Sequence, residues 1–285
     1  MPIRNPIEWS ADQLKQAAGA AELVGRAVYR GDETSHVPAI RRIGTGDLVD
    51  ALRKGFEDFR ACRTDVIFIS LVYPVIGLVL ARALLHTGFL PLIFPLATGF
   101  ALVGPLAAVG LYEMSRRREQ GATVGWADAF GVAQSPAFAA IVAMALILLA
   151  IFLVWLGVAE LVYSLTLGPV PPASPAAFAA AVFGTPAGWM LIVVGCGLGL
   201  LFAVLVLAIS VVSFPMLLDR DVGVGTAMRT SLRACAVNPV PMATWGLIVA
   251  GALLVGAIPA FIGLIVVVPV LGHATWHLYR KLVAA

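Results

Sequence analysis

The chain has 285 residues, 60% of them hydrophobic and only 12% charged, with a mean hydropathy of +0.96. A water-soluble domain carries about 25% charged residues, and half that value leaves too little polar surface to cover a soluble body of this size, so hydrocarbon is the natural solvent. A formal net charge of +3 gives no general case for nucleic-acid binding. The three scattered cysteines, Cys62, Cys196 and Cys235, form no CxxC pair and exclude a disulfide framework or a zinc site.

The first 65 residues are mixed and polar and carry ten Lys/Arg. Ser10 with Gln13 three residues on reads as a capping box opening a helix, with Leu14, Ala17, Ala21, Val24 and Val28 on one face and Gly31 as its stop. A second helix is predicted from Asp47 to about Arg60, with Leu48, Leu52, Phe56 and Phe59 on one face. Both helices suit a membrane surface, a partner or this protein's own cytoplasmic side. The first long apolar run begins near Val66, too late for a cleavable signal peptide, so the first membrane helix is expected to serve as an uncleaved insertion signal.

Apolar spans are predicted at about 66–86, 89–113, 137–163, 187–214, 242–257 and 260–279, which divides the chain into a cytoplasmic segment, 1–65, and a six-helix transmembrane domain, 66–285. Gly256-Ala257-Ile258-Pro259 marks the turn between the last two. Charge supports this count. Of the 19 Lys/Arg, ten precede the first span, three (Arg116, Arg117, Arg118) lie in the second connection, three (Arg220, Arg229, Arg233) in the fourth and two (Arg280, Lys281) in the tail, against Arg82 alone on the other side. The positive-inside rule then puts both termini in the cytoplasm. The Pro-rich external connection, about 164–186, is expected to be extended.

Three cytoplasmic segments resemble one another: Gly46-Asp47-Leu48, Gly125-Trp126-Ala127-Asp128 and Gly223-Val224-Gly225-Thr226. Each leads into a membrane hairpin. Pro105, Tyr112 and Arg116 have the spacing of Pro269, Trp276 and Arg280. The fold expected is therefore an all-α polytopic bundle of six transmembrane helices, built from three units of surface helix plus hairpin.

The segment Phe94-Pro95-Leu96-Ala97-Thr98-Gly99 through Gly104-Pro105 to Leu111-Tyr112-Glu113-Met114-Ser115-Arg116-Arg117, the stretch Pro269 to Arg280, and the entry helix Leu52-Arg53-Lys54-Gly55-Phe56-Glu57-Asp58-Phe59 carry a further signal. Over about 38–282 the chain resembles a bacterial family of predicted integral membrane proteins of unknown function, some of whose members are labelled as a cytochrome c oxidase subunit. The resemblance implies a multi-pass protein of the bacterial inner membrane. With His36, His86, His273 and His277 as its only histidines, the chain lacks the ligand set of a catalytic haem-copper subunit. The oxidase label then implies an accessory or assembly role.

Few residues suggest chemistry. His273 and His277, at i and i+4, can face one way and hold a metal or haem; beside Trp276 and Tyr279 they also suit an interfacial belt, and no carboxylate nearby in sequence completes a site. Arg82 and Glu160, near the outer ends of their spans, are candidates for a structural ion pair. Glu113 with Arg116 and Arg117, and Arg280 at the other repeat position, read as cytoplasmic boundary anchors. No catalytic motif is present. The function expected is a non-enzymatic scaffold or accessory subunit, possible partners being membrane lipids and a membrane protein complex, with no nucleic acid. The alternatives are a small transporter or channel around Pro95, Pro105 and the glycines Gly195, Gly197 and Gly199, and a haem or metal protein.

Overall fold

The computed structural model describes residues 38–62, 66, 67, 70–86 and 90–284; the helix expected from Ser10 to Gly31 lies outside them. Among the described residues the protein is helical, without strands, and has one isolated antiparallel bridge between Ile40 and Val283.

Helix α1, Thr45–Ala61, starts at Gly44, whose N–H donates to Asp47 Oδ2 at 2.9 Å; Asp47 in the first turn and Arg60 in the last both favour the helix dipole. Its buried face is Leu48, Ala51, Gly55, Asp58 and Phe59. That corrects the expected stripe, because Phe56 points outward, 46% exposed. The reason is steric. The helix packs on α11, Leu264–Leu282, so closely that a Cβ at Gly55 would lie 2.5 Å from the Ala274 backbone nitrogen. Small residues at 51 and 55, rather than the bulky Phe56, face the partner, while Leu52 is half-buried against the core.

Among the described residues three helices have the length and composition to cross a membrane: α5, Phe138–Thr166; the run Pro186–Asp219, made of α7, Pro186–Ser210, and α8, Ser213–Asp219; and α10, Pro239–Ala257. The other three expected spans take different forms. The first holds α2, Val72–His86, of 15 residues. The second is divided into α3, Ile93–Ala107, and α4, Val109–Glu119, meeting at Ala108. Pro105 lies inside α3, where its missing N–H weakens the ladder just before this junction. The sixth is α11, whose second half is buried in protein. Between α10 and α11 the chain reverses through Ala260 and Phe261, both at positive φ (49° and 66°), a conformation costing about 1–3 kcal/mol for each such residue. The reversal is tight because Gly256 and Gly263 touch: a Cβ at Gly263 would sit 2.8 Å from Gly256 Cα.

The Pro-rich connection contains a helix where an extended segment was expected. Ser174 accepts from the Ala177 N–H and caps α6, Pro175–Gly184, and Thr185 accepts from the Gly188 N–H and caps α7. Pro175 and Pro186 each stand at a first helical position, where proline's fixed φ is an asset and its lost donor costs nothing. The alanine-rich stretch between them then continues the helix.

At membrane depth Trp155 ties the bundle together. It is 1% exposed; its indole Nε1 donates to Pro95 O at 3.2 Å and its ring lies 5.3 Å from that of Phe202, joining α5 to α3 and α7. By contrast, nothing lies within 4 Å of a Cβ placed on Gly195 or Gly197 of α7.

The three segments expected on the cytoplasmic side each open at a glycine, in a register two residues earlier in the first than their sequence likeness implies. The N-cap residues are Gly44, Gly125 and Gly223. Gly125 N–H donates to Asp128 Oδ2 at 2.8 Å, as Gly44 does to Asp47. The second segment forms a 3-10 helix, Trp126–Gln134, and the third is α9, Val224–Val237. Each lies on a helix end of the same kind: α1 on α11, the 3-10 helix on α4, and α9 on α7 and α8; α4, α8 and α11 in turn meet one another at the centre.

Candidate functional site

The central meeting of α1, α4 and α11 holds a buried polar cluster. Asp58 from α1 is 6% exposed, Ser115 from α4 is 1% exposed and His273 from α11 is fully buried. The Ser115 hydroxyl lies 2.6 Å from Asp58 Oδ2 and 2.8 Å from His273 Nδ1. His277 Nε2 lies 2.8 Å from the same Asp58 oxygen, and Arg118 bonds the other, Oδ1.

Proton counting fixes the directions. An ionised Asp58 can only accept, so Ser115 O–H and His277 Nε2–H both donate to it. Ser115 has one proton, so toward His273 its oxygen must accept, and His273 carries its proton on Nδ1. His273 Nε2 is then left as a buried lone pair, and it has no hydrogen-bond partner. Burial works to raise the Asp58 pKa, but the hydrogen bonds from His277 and Ser115 outweigh it and hold the carboxyl below its ordinary 3.8.

A serine, a histidine and a carboxylate in contact suggest nucleophilic catalysis, but the order is wrong for it. In a hydrolytic triad the carboxylate orients the histidine and the histidine takes the serine proton. Here the serine stands between the other two, donates its hydrogen bond to the carboxylate and is closed off from solvent. The arrangement is a joint: one residue from each helix, every link a short hydrogen bond in a poorly solvated setting.

A second polar layer surrounds it. Glu113, 2% exposed, receives Arg116 at 2.8 Å and Arg117 at 2.6 Å, and Arg117 continues to Asp128 in the 3-10 helix. Its bond to Glu113 raises the Arg116 pKa further. Glu119 receives Trp276 Nε1 at 3.0 Å and Arg280 at 3.1 Å. Tyr279 O–H donates to Asp219 at 2.6 Å, and Arg280 reaches the same oxygen at 3.4 Å. Lys281 clamps α1 through Asp47 at 3.0 Å and Asp50 at 2.8 Å. Of the boundary residues, Arg117 thus ties α4 to the 3-10 helix and Arg280 ties α11 to α4 and α8, while Glu113 and Arg116 pair within α4.

His273 and His277 do face one way, into the joint between α1 and α4. The carboxylate that completes their surroundings, Asp58, comes from a helix more than two hundred residues earlier in the chain. Sequence reasoning missed it. The available signal was an acid three residues after Gly55, on the face that also carries Leu48 and Ala51. No group of three or more His, Cys, Asp or Glu that could hold a metal ion gathers among the described residues. Arg82 and Glu160 are both exposed, and no ion pair joins them.

Residues 93–219, from the second predicted span to the end of α8, match the family model described as predicted integral membrane protein (DUF2189). The chain is an integral membrane protein. The matched segment supplies Ser115 and Arg118 to the joint and the acids Glu113, Glu119, Asp128 and Asp219 to the layer around it; Asp58, His273 and His277 lie outside it. No curated protein and no solved structure matches the chain.

Proposed function

We propose that this protein is a non-enzymatic membrane scaffold or accessory subunit of the bacterial inner membrane, threaded six times with both termini in the cytoplasm and built from three units of surface helix plus hairpin. The observation that carries the reading is the use made of the reactive side chains. Asp58, Ser115, His273, His277 and Arg118 are committed to joining three helices, with Ser115 and His273 closed off from solvent. Rigid assembly is the outcome such an arrangement favours, because hydrogen bonds made away from water by side chains of three helices fix those helices against one another. The membrane-facing side suits a platform: only 11% of the apolar window of Pro186–Asp219 is buried within the protein, and only 17% of that of α10. These faces are available to lipid and to the helices of a partner, a respiratory complex being one candidate.

The test is gentle-detergent purification of the tagged full chain from native membranes, followed by mass measurement of the particle. A reproducible assembly heavier than one protomer with its micelle is expected. A particle that is always a lone protomer refutes the scaffold reading. The break between α3 and α4 at Ala108 favours a second reading, a small transporter, since discontinuous membrane helices often line binding sites. A polar, reagent-accessible path beside Ala108, mapped by cysteine scanning, supports that reading, and protection along the whole segment removes it.

A further inference from the structure

We infer that an anionic phospholipid occupies a built site at the foot of α10, its headgroup on Arg41, Arg42 and Arg233 and one acyl chain along Val240, Leu247 and Leu254. The headgroup end is organised by Asn238, 3% exposed, at the junction of α9 and α10. Its Oδ1 accepts from the Ile43 N–H at 2.9 Å, and its Nδ2 donates to Arg41 O at 3.0 Å and Ala234 O at 3.2 Å. The same strand-like segment is held from its other side: Arg41 N–H donates to Leu282 O at 2.8 Å and Ala284 N–H to Ala39 O at 3.1 Å. Two exposed arginines, Arg41 and Arg42, are therefore fixed by their backbone beside the end of α9, where Arg233 is also exposed. Arg233 lies five helical positions before Asn238, about 7.5 Å along the axis. Neither α9 nor α10 contains an acidic residue to compete for them.

The acyl end is equally specific. Val240, Leu247 and Leu254 are 68%, 74% and 68% exposed and repeat every seven residues. Heptad positions drift only about 20° around a helix, so the three form one stripe. The stripe runs for about 21 Å from the basic cluster, at 1.5 Å per residue, enough for an acyl chain within one leaflet of a core about 30 Å thick. Charge complementarity and the continuity of the basic cluster with the stripe select a lipid over a soluble anion, which would use the arginines and leave the stripe without a role. The inference goes beyond the scaffold reading and does not depend on it.

Native mass spectrometry of the delipidated full chain, titrated with phosphatidylglycerol and with phosphatidylcholine, tests the site. Phosphatidylglycerol is expected to bind at least tenfold more tightly. The triple variant R41Q/R42Q/R233Q is expected to lose about fivefold per arginine, roughly a hundredfold in all. R41K/R42K/R233K keeps the charge and is expected to retain most of the preference, which separates a charge effect from a folding defect. R53Q, removing an exposed arginine paired with Asp50, is the control expected to change nothing. Equal binding of the two lipids, or a triple glutamine variant that keeps the preference, overturns the inference. So does inorganic phosphate competing at concentrations where phosphatidylglycerol binds, because the stripe would then contribute nothing.

Discussion

Replacing Asp58 by alanine should loosen α1 from α11 by an amount that the joint allows to be worked out. Two hydrogen bonds to the carboxylate have partners shielded from water: Ser115 is 1% exposed and the His277 side chain 16%. Bonds to charged groups are worth about 1.5–3 kcal/mol each, and breaking a buried pair by deleting one partner costs about 3–5 kcal/mol. Arg118 adds at most about 1 kcal/mol, because its side chain is 39% exposed and its charge is screened. A loss of about 3–5 kcal/mol in the opening of α1 follows. Cys62, the C-cap of this helix, is 7% exposed and reports that opening directly. In a C196S/C235S background, native-state thiol labelling at Cys62 should accelerate by roughly a hundredfold to a few thousandfold, since about 1.4 kcal/mol is tenfold. D58N should accelerate it less, as the amide keeps one acceptor for Ser115. A D58A rate within threefold of the parent would show that the cluster does not hold α1, and the joint as described would be wrong.

Gly55→Ala sets two effects against each other. Helix propensity favours alanine by about 1 kcal/mol, but the new Cβ would meet the Ala274 backbone nitrogen at 2.5 Å, and backbone cannot swing aside, so overpacking of about 1–3 kcal/mol should prevail; a Cys62 labelling rate equal to or slower than the parent's would reverse the sign. Lys281→Met should cost about 1 kcal/mol or less, since Lys281 and its partners are partly exposed. Asp47 is held below its ordinary 3.8 by the Gly44 N–H and Lys281, Asp50 by Lys281 and Arg53, and Lys281 is held above 10.5 by both acids. The carboxylates' contribution is present above 3.8 and lost as pH falls through their lower folded values, while the lysine's is present below 10.5 and lost as pH rises through its higher one. The stability difference between K281M and the parent should accordingly be flat from about pH 5 to pH 9 and shrink at both extremes, as read from thermal midpoints across pH. Burial pushes the Cys235 thiol up to about 11, so at pH 8 its thiolate should be about a hundredfold scarcer than that of a free cysteine. Equal labelling of Cys235 in native and denatured protein would contradict its partial burial on α9.

Composition and charge order settled the solvent and the helical class of this protein, because a bilayer accepts only segments that satisfy their own backbone bonds and shows them as long apolar runs. Phe138–Thr166, Pro186–Asp219 and Pro239–Ala257 were legible for that reason. The likeness of the three segments was legible but their caps were not: Gly-x-x-Asp opens two of these helices, the first at Gly44 and not Gly46. Periodicity held on α1 for Leu48 and Phe59 and failed at Phe56, because the face of closest packing also carries Ala51, Gly55 and Asp58. Close approach to α11 rewards small residues, and hydrophobicity alone does not encode closeness. Proline count misled at 164–186, since the same residue that breaks a helix interior starts a helix when a serine or threonine cap precedes it. The joint itself could come only from tertiary structure. Asp58, Ser115, His273 and His277 are unremarkable in their own segments, and their properties arise when three helix ends exclude water and bring them within hydrogen-bond distance of one another.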